Sequence, residues 1–162
     1  MAMDFNLGGG FMPGGVVVKG AQGTASVIVR FFSWLSSRFG ARVLANQLPH
    51  LLAAESAAAA RVGAGPIAAT VQSLQKVANS GTLKWVVTEG GELVISPHTV
   101  KGVEISHAVL SGGKPVLAAG HAEIAAGGSK FVGLSINASS GHFGQGVVDV
   151  GKAAFARLGV AF

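Results

Sequence analysis

Leu83–Glu89 and Glu92–Pro97 read LKWVVTE and ELVISP, and Gly90 and Gly91 join them. Both runs are rich in β-branched residues with a period of two, and a Gly-Gly pair supplies the backbone freedom of a tight turn. Together they predict a β-hairpin. Downstream, GVEISHAVL (102–110), PVLAAGHAEI (115–124) and SKFVGLSIN (129–137) are short strand-like runs separated by SGGK and AAGG. The simplest arrangement is an antiparallel meander of about five strands. Val148, Ala154, Phe155 and Leu158 then fall on one face of a final helix that Gly159 stops.

Upstream of the hairpin the period is helical. From Thr24, a suitable N-cap, Val27, Phe31, Trp34 or Leu35, Phe39 and Val43 recur at helical spacing. Pro49 restarts the chain into LLAAESAAAARV, a strong helix former that ends at Gly63 and Gly65. Pro66 stands where a third helix, PIAATVQSLQKVAN, would begin, and Asn79, Ser80 and Gly81 close it. The first 23 residues hold GGGFMPGG and KGAQG and favour a flexible leader. The expected class is therefore α+β: a leader over 1–23, a helical segment over 24–80, and an α+β domain over 81–162.

Composition closes several classes. The 162 residues contain no cysteine, which removes disulfide frameworks, thiolate zinc sites and cysteine nucleophiles. Hydrophobic residues make up 49% and charged residues 12%, against roughly 25% charged in an average domain. Twelve Lys and Arg against seven Asp and Glu give a net charge of +5 with no basic run. Such a balance favours an acidic partner, whether RNA, a nucleotide or an acidic protein. The start MAMDFNLGGGFMPGG lacks the basic n-region of a signal peptide. Arg30, Arg38 and Arg42 interrupt the apolar stretch from Ala25 to Leu52, so no membrane span is expected.

The triplet His121-Ala122-Glu123 imitates the metal-binding His and proton-moving Glu of zinc nucleobase deaminases. Those enzymes need two further ligands from a P-C-x-x-C helix, which a chain without cysteine cannot supply. The bland reading, a polar strand edge, is preferred. His50, His98, His107, His121 and His142 show no tight metal-ligand spacing, and neither a P-loop nor a strand-to-helix G-x-G-x-x-G is present. What remains is Ile105–Gly120, ISHAVLSGGKPVLAAG, with Ile136–Phe143, INASSGHF. On a regular strand His107 shares a face with Ile105 and Val109, where a histidine is more often a hydrogen-bonded core residue than a functional one. Ser139, Ser140, Gly141 and His142 concentrate hydroxyls and an imidazole at a strand end, a combination able to orient a substrate or move a proton.

These residues carry a resemblance. Ile-Ser-His-x-x-Leu, Gly-Gly-x-Pro-Val, Ala-Ala-Gly and Ser-Gly-His-aromatic, followed by a short amphipathic helix, resemble a C-terminal toxin domain of bacterial polymorphic toxins of the Rhs and contact-dependent kind. A related pattern occurs in plant IQ-motif calmodulin-binding proteins. The similarity covers about Leu83–Phe162 and matches His107, Ser140, Gly141 and His142. Phe143 replaces the usual Tyr, and Gln145 the usual Pro two positions on, so a ring hydroxyl is not essential here.

The resemblance implies a secreted or delivered toxin that acts in the cytoplasm of a target cell and is neutralised by a cognate immunity protein. Its leading mechanism is ADP-ribosyl transfer from NAD to a protein or RNA target, without a metal. In that scheme His107, Ser140, His142 and Glu123 are catalytic, and Ser106, Gly141 and Phe143 contact NAD. The alternative is a metal-independent ribonuclease with His107 and His142 as base and acid and Lys114 or Lys130 facing the phosphate. A third reading is a non-enzymatic or membrane-active module in which Ala25–Leu52 lies on a lipid surface.

Overall fold

The structure, a computed structural model, describes residues 33–34 and 37–162 together with the backbone of Phe5–Asn6 and Val16–Val17, which pair as a short ribbon. Apart from that ribbon, the expected leader over 1–23 and most of the helix expected from Thr24 lie outside the described residues. Residues 37–39 are helical, but beyond Gly40, at φ 70°, the chain is extended. Val43 therefore does not continue a helical stripe. Leu44 instead exchanges two backbone hydrogen bonds with Val116, at 2.7 and 3.0 Å, so the sheet satisfies groups that a helix would have used.

A 3-10 turn over Pro49–Leu51 feeds helix α1, Leu52–Arg61, with Gly63 just past its end at φ 69°. The segment after Pro66 departs from expectation. Ile67–Ala68 forms strand β1, and helix α2 starts only at Val71–Val77. Thr70 caps α2 through a reciprocal capping box with Ser73, the Thr70 Oγ1 accepting from Ser73 N at 3.0 Å. That cap outcompetes proline as the start signal and leaves Ile67 to pair with Ile95.

The predicted hairpin is present as β2, Thr82–Thr88, and β3, Leu93–Pro97. Short strands Thr99–Val100 and Val103–Glu104 form a ribbon leading to helix α3, His107–Ser111. The long strand β4, Val116–Gly127, pairs with β2 and turns into β5, Lys130–Ile136. A second ribbon joins Ser139–Ser140 to Gly144–Gln145, and helix α4, Val148–Ala156, ends the chain. The sheet order is β1-β3-β2-β4-β5, antiparallel throughout, which makes the fold α+β with a five-stranded antiparallel sheet.

The run GVEISHAVL is not the extra sheet strand expected. Ser106 caps α3 by accepting from Val109 N at 3.3 Å, and Gly112 closes it at φ 64°. The alternation of Ile105, His107 and Val109 fits a strand, but the cap at one end and the left-handed stop at the other select a turn and a half of helix.

Strand alternation divides the sheet into two faces. Leu83, Trp85 and Val87 meet α4, where Trp85 and Phe155 are fully buried with ring centroids 6.2 Å apart at 82°. Val86 and Ala119 on the other face pack with Ile105, Val109, Leu110 and Phe143. Leu74 and Val77 of α2 join the α4-side core, so the chain on either side of residue 81 shares one interior. Among the described residues no helix is long and apolar enough to cross a membrane.

Gly151 of α4 lies flat on Trp85, where an added Cβ would fall inside van der Waals contact with the indole. Gly151→Val is expected to lower stability by about 3 kcal/mol in urea unfolding, because overpacking of a filled core outweighs any gain in helix propensity. Gly127→Ala, which meets open space, is expected to change it by less than about 0.5 kcal/mol.

Candidate functional site

On the α3 face the sheet changes character along its length. Val86 and Ala119 are covered, but toward one end the same face presents Thr82 and Lys84 from β2 and His121 and Glu123 from β4. Lys84 pairs across the strands with His121, and Thr82 with Glu123. This is where the apolar cover stops and polar groups gather.

His107 stands at the boundary, 3% exposed. Its Nε2 lies 2.8 Å from the carbonyl oxygen of Gly120. A carbonyl only accepts, so Nε2 carries the proton and Nδ1 accepts from the Ser140 hydroxyl at 3.0 Å. Ser140 Oγ in turn accepts from the backbone N–H groups of His142 and Phe143, at 3.2 and 3.3 Å. Every hydrogen-bonding direction of that hydroxyl is used, so this pair is a latch from α3 to the Ser139–Gln145 ribbon. Burial is the main cause that drives the His107 pKa down to about 4, and the Lys84 ammonium with the neighbouring imidazoles of His121 and His142 pushes the same way. His107 is neutral at pH 7.

A second link runs from helix α1. His142 Nε2 faces both Glu55 carboxylate oxygens, at 3.1 and 2.9 Å, and Ser106 Oγ donates to Glu55 Oε2 at 2.7 Å. Four of the residues singled out in the sequence, Ser106, His107, Ser140 and His142, are thus brought together, and Glu55 joins them. Gly141 lies between Ser140 and His142 with open space where a side chain would be. Phe143 is 2% exposed inside the core and presents no stacking face to solvent. Glu123 is separate from this group: it is exposed on β4, accepting from Thr82 Oγ1 at 3.3 Å. Lys114 follows α3 in a turn, and Lys130 opens β5 at the β4–β5 turn.

An open cleft lies next door. The His107 ring stands edge-on to His121, centroids 5.1 Å apart, and His121 lies 5.5 Å from His98. Residues Ser80, Thr82, Pro97, His98, Thr99 and His121 line a cleft of about 340 Å³. Opposite His121 in the strand register, the buried Lys84 Nζ donates to Glu104 Oε1 at 2.6 Å, and His98 Nε2 lies 3.8 Å from the same oxygen. The Lys84 hydrogen bond is the main cause that lowers the Glu104 pKa. Burial is the main cause that lowers that of His121, helped by the charges of Lys84 and His98. His121 Nδ1 faces Asn137 Oδ1 at 3.4 Å, which assigns its proton to Nδ1 and leaves Nε2 the lone pair.

In the sequence His121 reads as a strand edge, and no motif marks His98, Lys84 or Glu55. Lys84 carried a signal: it is a lysine in step with Val86 on a strand face that must be partly buried. Glu55 carried only its isolation as a carboxylate within an alanine-rich helix. Among the described residues no group of three or more His, Asp or Glu side chains is placed to hold a metal ion. Comparison of the chain with protein-family models, with curated proteins and with solved structures finds no match.

The latch makes a pH prediction. A buried histidine that stays neutral gives stability that is complete above its unfolded value of 6.5 and is lost as pH falls toward about 4, because only the unfolded chain takes up a proton in that window. The loss is expected to total about 3 kcal/mol. His107→Gln, which keeps a donor and an acceptor, should flatten that slope in urea titrations between pH 7 and 4.

Proposed function

We propose that this chain carries a metal-independent ribonuclease domain that cleaves RNA by general acid–base catalysis between His98 and His121. The observation that carries the reading is the pair of imidazoles 5.5 Å apart lining an open cleft. Burial lowers the His121 pKa and so favours the unprotonated form that a base requires. Its Nε2 takes the proton of the ribose 2′-hydroxyl, and the 2′-oxygen attacks phosphorus to form a 2′,3′-cyclic phosphate. The bond from phosphorus to the 5′-oxygen breaks, and His98 gives that oxygen its proton. Lys84, buried and paired with Glu104, stays out of contact with the phosphate and acts only by lowering the His121 pKa.

Support of a different kind comes from the net charge of +5, which favours a polyanion, and from the resemblance to delivered toxin domains. In that setting the chain acts in the cytoplasm of a target cell, and an acidic immunity protein would block the cleft. ADP-ribosyl transfer from NAD has less support. The positions assigned to it, Ser140 and Phe143, are 7% and 2% exposed, and the Ser140 hydroxyl is fully engaged.

His98→Ala and His121→Ala are each expected to lower cleavage of a fluorogenic RNA at least about 100-fold, with EDTA without effect. Because burial favours the neutral form of His121, the acid limb of its kcat/KM profile should fall below the ordinary histidine value of 6.5. Full activity in both variants, loss of activity in EDTA, or transfer of labelled ADP-ribose to protein or RNA would count against the reading.

A further inference from the structure

A second groove, of about 280 Å³, adjoins the cleft. His121 and Thr82 line both cavities, so these two residues form their common wall. The floor of the second groove is a row of polar residues in register across three strands: Thr82 opposite Glu123, and Glu123 opposite Ser135. Asn137 stands at its end. The proposed acid–base step uses neither Glu123 nor Ser135, and it uses Asn137 only through Oδ1, which holds the His121 tautomer.

The donors and acceptors in this groove have fixed identities. Asn137 Oδ1 accepts from the backbone N–H groups of His121 and Ser139, at 3.1 and 3.2 Å. That orients the amide and directs its two Nδ2 donors to a ligand. Glu123 is a carboxylate and accepts only; Thr82 Oγ1 occupies part of Oε1, at 3.3 Å, and Oε2 is open. The groove therefore offers a two-oxygen acceptor beside an amide donor.

We propose that this groove binds a guanine base, with Glu123 taking its N1–H and N2–H₂ donors and Asn137 Nδ2 donating to O6. Guanine is the base that places two donors side by side on its pairing edge, followed by an acceptor. Adenine and cytosine set a single amino donor beside a ring nitrogen acceptor, and uracil flanks its one donor with two carbonyls. Each of those would aim an acceptor at the carboxylate, where two lone pairs repel. His121, half-buried and lining this groove, brings a ring to the base, and stacking on a ring is a mode by which unpaired bases are held. A guanosine seated here has its 3′-phosphate across the shared wall in the His98–His121 cleft, so the inference rests on the ribonuclease reading and gives it a specificity: cleavage after guanine.

The test separates the two. Calorimetric titration of the intact chain with guanosine, adenosine, cytidine and uridine 3′-monophosphates measures recognition without turnover. Guanosine 3′-monophosphate is expected to bind at least about tenfold tighter than the others, and Glu123→Gln, which turns a donor toward the base's donors, to erase that preference while leaving the melting temperature unchanged. Equal or undetectable binding of all four, or an unchanged preference in Glu123→Gln, overturns the proposal. On a mixed-sequence RNA, cleavage after all four bases alike overturns the guanine assignment and leaves the ribonuclease reading standing. Guanine-selective binding with no cleavage supports the assignment and removes the ribonuclease reading.

Discussion

The imidazole of His107 has two nitrogens, and the fold uses both. One donates to the carbonyl of Gly120 in the middle of β4, and the other accepts from Ser140 in the ribbon that follows β5. Helix α3, the longest strand of the sheet and the Ser139–Gln145 ribbon are thereby joined at one buried ring. The arrangement works because the ring is neutral: a second ring proton would face the Ser140 oxygen, whose lone pairs already accept two backbone N–H groups. Breaking one partner would leave a buried polar group unmatched, at a cost of about 1–3 kcal/mol.

From this ring a seam of histidines runs outward. His107 is the fixed wall against which His121 stands edge-on, and His121 in turn faces His98 at the cleft. The buried Lys84 charge acts on His107 and on His121 in the same direction, and Glu104 holds Lys84 from the solvent side. Burial lowers the pKa of the inner members of the seam, and the open cleft at the polar end of the sheet face is where the proposed chemistry would take place. The Glu55 link to His142 and Ser106 ties helix α1 to the same structure, so the segment before residue 81 helps to shape the site.

Much of the fold was legible because local signals agreed with tertiary packing. The β2–β3 hairpin had its period of two and its Gly-Gly turn, and α4 had its apolar face and Gly159. The misreadings came where two local signals competed. Pro66 argues for a helix start, while the Thr70–Ser73 capping box places it at Val71 and frees Ile67 for the sheet. Ile105, His107 and Val109 satisfy strand and helix alike, and only the Ser106 cap and the left-handed Gly112 decide. The latch residues were visible as polar groups grouped within an apolar chain. The cleft was not, because Lys84, His98 and His121 meet only through strand pairing, and no spacing along the sequence encodes the register that sets Lys84 opposite His121.

The protonation state of one ring supports the whole account. Nitrogen-15 NMR of the imidazoles would read it directly, with His107 assigned by its loss in His107→Gln. The account predicts a neutral His107 at pH 7 with its proton on Nε2 and a bare Nδ1, holding that form until the pH approaches about 4. A His107 that carries both protons at pH 7, or that titrates near 6.5, the ordinary histidine value, would contradict it.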